Sequence, residues 1–253
     1  MILNIAAYHF VHVEDPQGLA EKLGSVAEAR GLRGTVLVAA EGINLFLAGD
    51  EAQVREFVVI LRTDMRFAAI AIKESLSQSQ PFARLKVKVK PEIISFRRDG
   101  ASPLDGRAPS VAPRTLARWI GQGRDDAGRR LVLLDTRNRE EVDHGTFAGA
   151  LTLPIDNFTD LPEAVSLHRE ALRDATVVSF CTGGIRCEKA ALWLRGDGMD
   201  NVLQLDGGIL GYFEHVGGEG YDGRCFVFDE RVALDPELKP MVDGRHEANV
   251  GAT

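Results

Sequence analysis

The chain of 253 residues carries 30 Lys and Arg against 37 Asp and Glu, a formal charge of −7, and is 45% hydrophobic. That composition excludes collagen-like, coiled-coil and disordered classes, and the length suits one large domain or two small ones able to bury a core. Three cysteines are too few and too scattered for a disulfide framework, which fits a reducing compartment, the cytoplasm. The N-terminus lacks the basic region and cleavage site of a signal peptide. No apolar run reaches the ~20 residues of a membrane span, so no membrane association is expected. The acidic balance argues against a generic nucleic-acid binder but leaves room for a local basic face.

Ile2–Val13 is apolar and β-rich and suits a central strand. Asp15-Pro16 supplies a helix cap followed by a proline at the first helical position. Leu19, Leu23, Val26 and Ala27 then give Pro16–Arg30 one apolar face. Thr35–Ala40 and Ile43–Ala48 form two strands joined through Glu41-Gly42, and Gly49-Asp50 caps a second helix buried through Val54, Phe57, Val58 and Leu61. Phe67–Lys73 is expected as a fourth strand and Ser75–Gln80 as polar loop. The order β-α-β-β-α-β predicts a ferredoxin-like, split βαβ domain of mixed α+β character over residues 1–96. Within the extended stretch Phe82–Phe96, Arg84, Lys86, Lys88 and Lys90 alternate with Leu85, Val87 and Val89, which puts the four cations on one face.

Residues 97–112 are rich in Gly, Pro and Ser, lack periodicity, and form the best linker candidate. Beyond them strands alternate with helices: helix Pro113–Ile120, strand Leu131–Leu134 ending on Asp135, a helical turn at 139–142, and a short strand Leu151–Leu153. A helix around Pro162–Leu172, strand Thr176–Phe180, helix Glu188–Arg195, strand Val202–Leu205 and a helical turn after Gly208 complete the series. Buried strands alternating with helices predict a parallel α/β sheet covered on both faces over residues 113–234, with a flexible tail over 235–253.

The densest chemistry lies between a strand and a helix, in Cys181, Thr182, Gly183, Gly184, Ile185 and Arg186, followed by Cys187-Glu-Lys189. In a parallel sheet this is the ligand-binding edge. The glycines let successive N–H groups turn inward as an anion nest, and the following helix aims its positive end at the same point. A cysteine held there becomes a thiolate near neutral pH, suited to carrying or attacking an anionic group. The plainer alternative is an inert buried thiol. Cysteine phosphatases place five residues between Cys and Arg; here four separate Cys181 from Arg186 and Phe180 stands where those enzymes have a histidine. The tighter loop suits a single sulfur on the cysteine better than a phosphate.

Taken in order, Leu133-Leu-Asp-Thr-Arg137, Glu141, Gly145-Thr-Phe-Ala-Gly-Ala150, Pro154, the Cys181 loop and Leu205-Asp-Gly-Gly-Ile209 resemble the rhodanese domain, over about residues 113–225. Asp135-Thr-Arg-Asn138 and the nine-residue run Cys181–Lys189 narrow the resemblance to the rhodanese-containing tRNA uridine hydroxylases. Gly34-Thr35, Ala40-Glu-Gly-Ile-Asn44, Ser79-Gln-Pro-Phe82 and Gly223-Arg-Cys-Phe-Val-Phe-Asp-Glu230 resemble the same family. The resemblance implies oxygen-dependent hydroxylation of the wobble uridine to 5-hydroxyuridine, with molecular oxygen as co-substrate, tRNA as partner and Cys181 as a persulfide-forming cysteine. Longer members carry a cysteine-rich C-terminal extension, and this chain stops at Thr253.

Asp135 is expected to position the loop by hydrogen bonds, with Arg137 structural or anion-steering. Arg186 either contacts a substrate anion or braces the loop. Cys187 reads as structural or as a resolving thiol, and Cys225 as packing. No zinc spacing, iron triad or dinucleotide fingerprint is present, so no metal or other cofactor is expected, nor an obligate protein partner. Alone, the Arg84–Lys90 strand reads as an edge guarded by charge; beside the resemblance it reads as a phosphate-contacting face. A small-molecule sulfurtransferase is the alternative function, and a catalytically dead binding module is disfavoured by the presence of Cys181.

Overall fold

The computed structural model describes residues 1–241. In the first domain, strands β1 (Ile2–Phe10), β2 (Arg33–Ala39), β3 (Gly42–Gly49), β4 (Lys73–Ser77) and β5 (Leu85–Val89) form one sheet in the order β4-β1-β3-β2-β5. The first four strands are antiparallel neighbours, as a split βαβ sandwich requires, and β5 adds a parallel edge against β2. Helix α1 (Pro16–Ala29) starts at Asp15, whose side chain accepts from Gly18 N, and α2 (Glu51–Thr63) starts at Asp50, which accepts from Ala52 N. Both lay their apolar stripes, Leu19, Leu23 and Ala27, and Val54, Phe57 and Leu61, into the core with Val36, Val38, Ile43, Leu45 and Leu47.

The fourth strand is displaced from its expected place. Phe67 and Ile70 are both buried, at a spacing of three, and Met65–Phe67 is a 3₁₀ turn, so residues 67–72 close the helix rather than cross the sheet. Lys73–Ser77, expected partly as loop, forms the strand because β1 offers its free edge, pairing Ala6 with Lys73 and Ile2 with Ser77. Its polarity is that of an edge strand with one wet face.

The second domain holds a parallel sheet in the order β6-β10-β9-β7, from β6 (Ser110–Val111), β7 (Arg130–Asp135), β9 (Ala175–Phe180) and β10 (Val202–Leu205). The expected strand at Leu151–Leu153 reduces to a single parallel bridge between Leu151 and Leu134. Helices α3 (Pro113–Gln122) and α8 (Gly208–Val216) cover one face; α5 (Leu161–Ser166), α6 (Arg169–Leu172) and α7 (Ile185–Gly196) cover the other. The helix expected around Pro162–Leu172 is two short ones, broken at Leu167, which is exposed. A short α4 (Arg139–Val142) follows β7, and β8 (Gly145–Phe147) pairs with β11 (Tyr221–Gly223).

Residues 97–112 run as packed chain: Ala101 and Ala108 are buried in the second domain's core, and the stretch ends in β6. A last hairpin, β12 (Cys225–Phe226) with β13 (Ala233–Leu234), reaches back to the first domain. Its Arg231 donates to Ser75 Oγ at 2.6 Å and its Glu230 N–H to Pro81 O at 3.2 Å. Residues 235–241 fold into a turn that bridges Pro240 to Leu234, and the rest of the expected tail lies outside the described residues.

Candidate active site

The core strand β9 is buried along its whole length and delivers Cys181 to its carboxyl end. Two neighbours hold the loop that follows. Thr136, after β7, donates its N–H and its hydroxyl to Phe180 O, each at 3.0 Å. The first turn of α8 donates Ile209 N–H to Cys181 O at 2.9 Å and Leu210 N–H to Thr182 O at 3.0 Å. Gly208 must be glycine: its φ is +62°, and a Cβ there would lie 2.5 Å from Cys181 O and 2.7 Å from Gly184 N. Gly184, at φ +100°, turns its N–H onto Cys181 Sγ at 3.2 Å.

Cys181 is fully buried, which pushes its thiol up; the Cys187 thiol, the Arg186 charge and the N–H groups of Arg186 and Cys187 outweigh that and bring it down to about 6. Cys187 moves the opposite way, held protonated by burial and by the neighbouring Cys181 sulfur. Burial likewise pushes the Cys225 thiol up to about 12. Of the three thiols, only Cys181 is drawn down toward the thiolate; the other two are pushed up.

Arg186 is buried, and its guanidinium is engaged within the protein. Its guanidinium is paired twice with Glu141, Nη1 to Oε2 at 2.5 Å and Nη2 to Oε1 at 2.6 Å, and both side chains are buried. Thr182 Oγ1 donates to the same carboxylate at 3.2 Å. Glu141 in turn caps α4 by accepting Asn138 N–H. Arg186 therefore braces the loop and acts on the thiol through its charge. Asp135 and Arg137 form a fully buried pair at 2.6 Å beside the loop. Asp135 accepts from Thr146 Oγ1 at 2.7 Å and Arg137 donates to Gly145 O at 2.7 Å, so the pair fixes β8 rather than the cysteine.

The loop opens on a cleft of about 1010 Å³ whose walls come from both domains. Tyr8 of β1 reaches across to donate to Glu188 Oε1 at 3.2 Å. Glu188, buried on α7, also accepts from Arg107 Nε at 3.0 Å and Gln204 Nε2 at 3.2 Å. Lys73, Phe10, Lys90, Arg97 and Phe228 line the same space. Arg84, Lys86 and Lys88 do not: they stand exposed along β5, and of the basic strand only Lys90 reaches the cleft. Glu141 was visible in the sequence as a motif residue without a role, since nothing in spacing ties it to Arg186. Tyr8, Lys73 and Arg107 gave no signal at all, because each comes from a segment distant in sequence. Among the described residues no three His, Cys, Asp or Glu side chains converge as metal ligands.

Fold and site together define a two-domain protein of the rhodanese class, in which a ferredoxin-like domain covers the cysteine loop of a rhodanese-like one. Residues 2–93 match the UPF0176 acylphosphatase-like domain and residues 113–215 the rhodanese-like domain. The tRNA uridine(34) hydroxylase of Xanthomonas campestris pv. campestris strain 8004 is 70% identical over 251 residues, 99% of each chain. That of Xylella fastidiosa strain 9a5c is 63% identical over 245 residues, 97% of this chain and 95% of its own. Among solved structures, the rhodanese-like domain of an Anabaena protein is 21% identical with a TM-score of 0.37, covering 46% of this chain and 79% of that one. The chain belongs to the tRNA uridine(34) hydroxylase family.

Proposed function

We propose that this protein hydroxylates the wobble uridine of tRNA to 5-hydroxyuridine in the cytoplasm, with molecular oxygen as co-substrate and Cys181 as the reacting, persulfide-forming thiol. The observation that carries this reading is the shared cleft. A thiolate-forming cysteine faces a space of about 1010 Å³ walled by both domains, the size that takes a drug-sized or larger ligand. The relatives that match along the whole chain are named tRNA uridine(34) hydroxylases, which favours this reading over a thiosulfate-type sulfurtransferase.

The walls have the chemistry a splayed-out nucleotide uses. Single-stranded bases stack on aromatic rings and their phosphates meet cations. Phe228 is 57% exposed at the lip, with its ring edge-on to Phe226 at 5.1 Å. Lys90 and Arg97 line the cleft without ion pairs among the described residues. Cys181 with Thr182, Gly183, Gly184 and Ile185 forms the reacting wall; Arg186, Asp135 and Arg137 support it.

A deletion strain is expected to lose 5-hydroxyuridine and the nucleosides derived from it, as read by nucleoside mass spectrometry. The wild-type gene restores them and Cys181→Ser does not, while the purified variant keeps the wild-type circular dichroism spectrum. An unchanged nucleoside profile in the deletion strain refutes the reading, and fast thiosulfate-to-cyanide turnover with no effect on tRNA favours the sulfurtransferase.

A further inference from the structure

Lys73 opens the edge strand of the first domain, yet its amine rests on the second. A Cβ on Gly207 would lie 2.9 Å, and one on Gly211 3.1 Å, from its Nζ. Gly207 caps α8 and Gly211 closes its first turn, the turn whose Ile209 and Leu210 N–H groups hold the carbonyls of Cys181 and Thr182. Amine and thiol line one cleft.

Lys73 is half-buried, and its ammonium group makes no ion pair or side-chain hydrogen bond among the described residues. The groups that face it are Asp206 and Glu214 from the α8 side and Cys181 from the loop. Tyr8 and His9 of β1, Glu74 of its own strand, and Asp229 and Arg231 of the hairpin line the same cleft. Tyr8 is committed to Glu188 and Arg231 to Asp229. Burial lowers the lysine, and the Glu214, Asp206 and Cys181 charges pull it back up. The positive end of α8 beside it works against a cation as well. A desolvated cation at a helix N-terminus, with no partner in contact, needs anions presented to it, and Glu214, Asp206 and the Cys181 sulfur are those that face it.

We propose that Lys73 is the counter-cation of the sulfur anion carried by Cys181, so that the first domain supplies a charged group to the reacting centre. The inference deepens the hydroxylase reading, because it assigns the covering domain a part in the chemistry. It rests on the thiol's surroundings alone, and its test contains neither RNA nor hydroxylation. A failure of the tRNA experiment therefore leaves it standing, and its own failure leaves that reading standing.

The test titrates thiolate ultraviolet absorbance in the full chain, with Cys181→Ser as the blank. Cys187 and Cys225 stay protonated through the range used. The wild type is expected to turn over at about pH 6. Lys73→Met is expected to move the midpoint up and so to lower the thiolate fraction at the wild-type midpoint, because a positive charge nearby favours the thiolate. Lys73→Arg restores the wild-type midpoint. Lys73→Gln gives the same reading as the methionine variant if that one fails to fold, as checked by circular dichroism. A midpoint unmoved in both neutral variants overturns the proposal even if hydroxylation falls, because Lys73 would then be serving the RNA and not the sulfur.

Discussion

Cys181 shows how a single side chain couples chemistry to stability. Its folded-state thiol sits at about 6, below the ordinary thiol value of 9.0. A group depressed by folding contributes stability that is complete above the unfolded value and lost as pH falls through the folded one. The wild type is therefore expected to lose stability relative to Cys181→Ser between about pH 9 and pH 6, as checked by denaturant unfolding at several pH values. Arg186 and Glu141 separate cleanly in the same assays. Removing either partner of this buried pair leaves an uncompensated charge or an empty brace, a loss of about 3–5 kcal/mol. Arg186→Leu is expected to raise the thiolate midpoint, and Glu141→Gln to lower it where the loop holds, because one removes a positive and the other a negative charge. The thiolate itself was legible from the strand-loop-helix order and two glycines. The fate of Arg186 was not, since its partner stands 45 residues away.

At the scale of elements, periodic apolar stripes were readable and edges were not. Helices α1 and α2 bury the residues their spacing indicates, because a stripe at helical period must find a core. Strand β4 was not readable: Lys-Glu-Ser-Leu-Ser carries almost no apolar signal and is held by pairing to β1. Backbone hydrogen bonds to a neighbour leave no mark on local sequence. The basic strand β5 keeps Lys86 and Lys88 exposed while Leu85 and Val87 pack on the core. Replacing Lys86, Lys88 and Lys90 with Gln is expected to weaken tRNA binding and to flatten its salt dependence, by about 0.7–0.9 in log–log slope for each phosphate that is no longer neutralised. Equal affinity and an equal slope would remove β5 from the binding face. Because β5 is also a free sheet edge, light scattering of the same variant measures how far its lysines guard against strand addition.

In the whole molecule, the two domains are fastened around the cleft by polar contacts. Lys189 of α7, 4% exposed, donates to Glu41 and to Glu92 of the first domain's side, each at 2.8 Å. Tyr8 with Glu188, and Arg231 with Ser75, add two more ties. Lys189→Met is expected to leave two carboxylates facing each other, to cost about 3–5 kcal/mol, and to separate the two domains' unfolding into distinct calorimetric transitions; a single unshifted transition rules this out. The sequence alone determined that there are two α/β-type units, where the helices with a long apolar stripe lie, and that Cys181 sits in a glycine loop between a buried strand and a helix, since all three follow from periodicity and turn chemistry within short windows. The tertiary structure decided which charges brace that loop, that residues of β1 and β4 enter the same cleft, and that only Lys90 of the basic strand reaches it. Those outcomes depend on side chains up to 180 residues apart meeting across an interface, and no local pattern encodes such a distance.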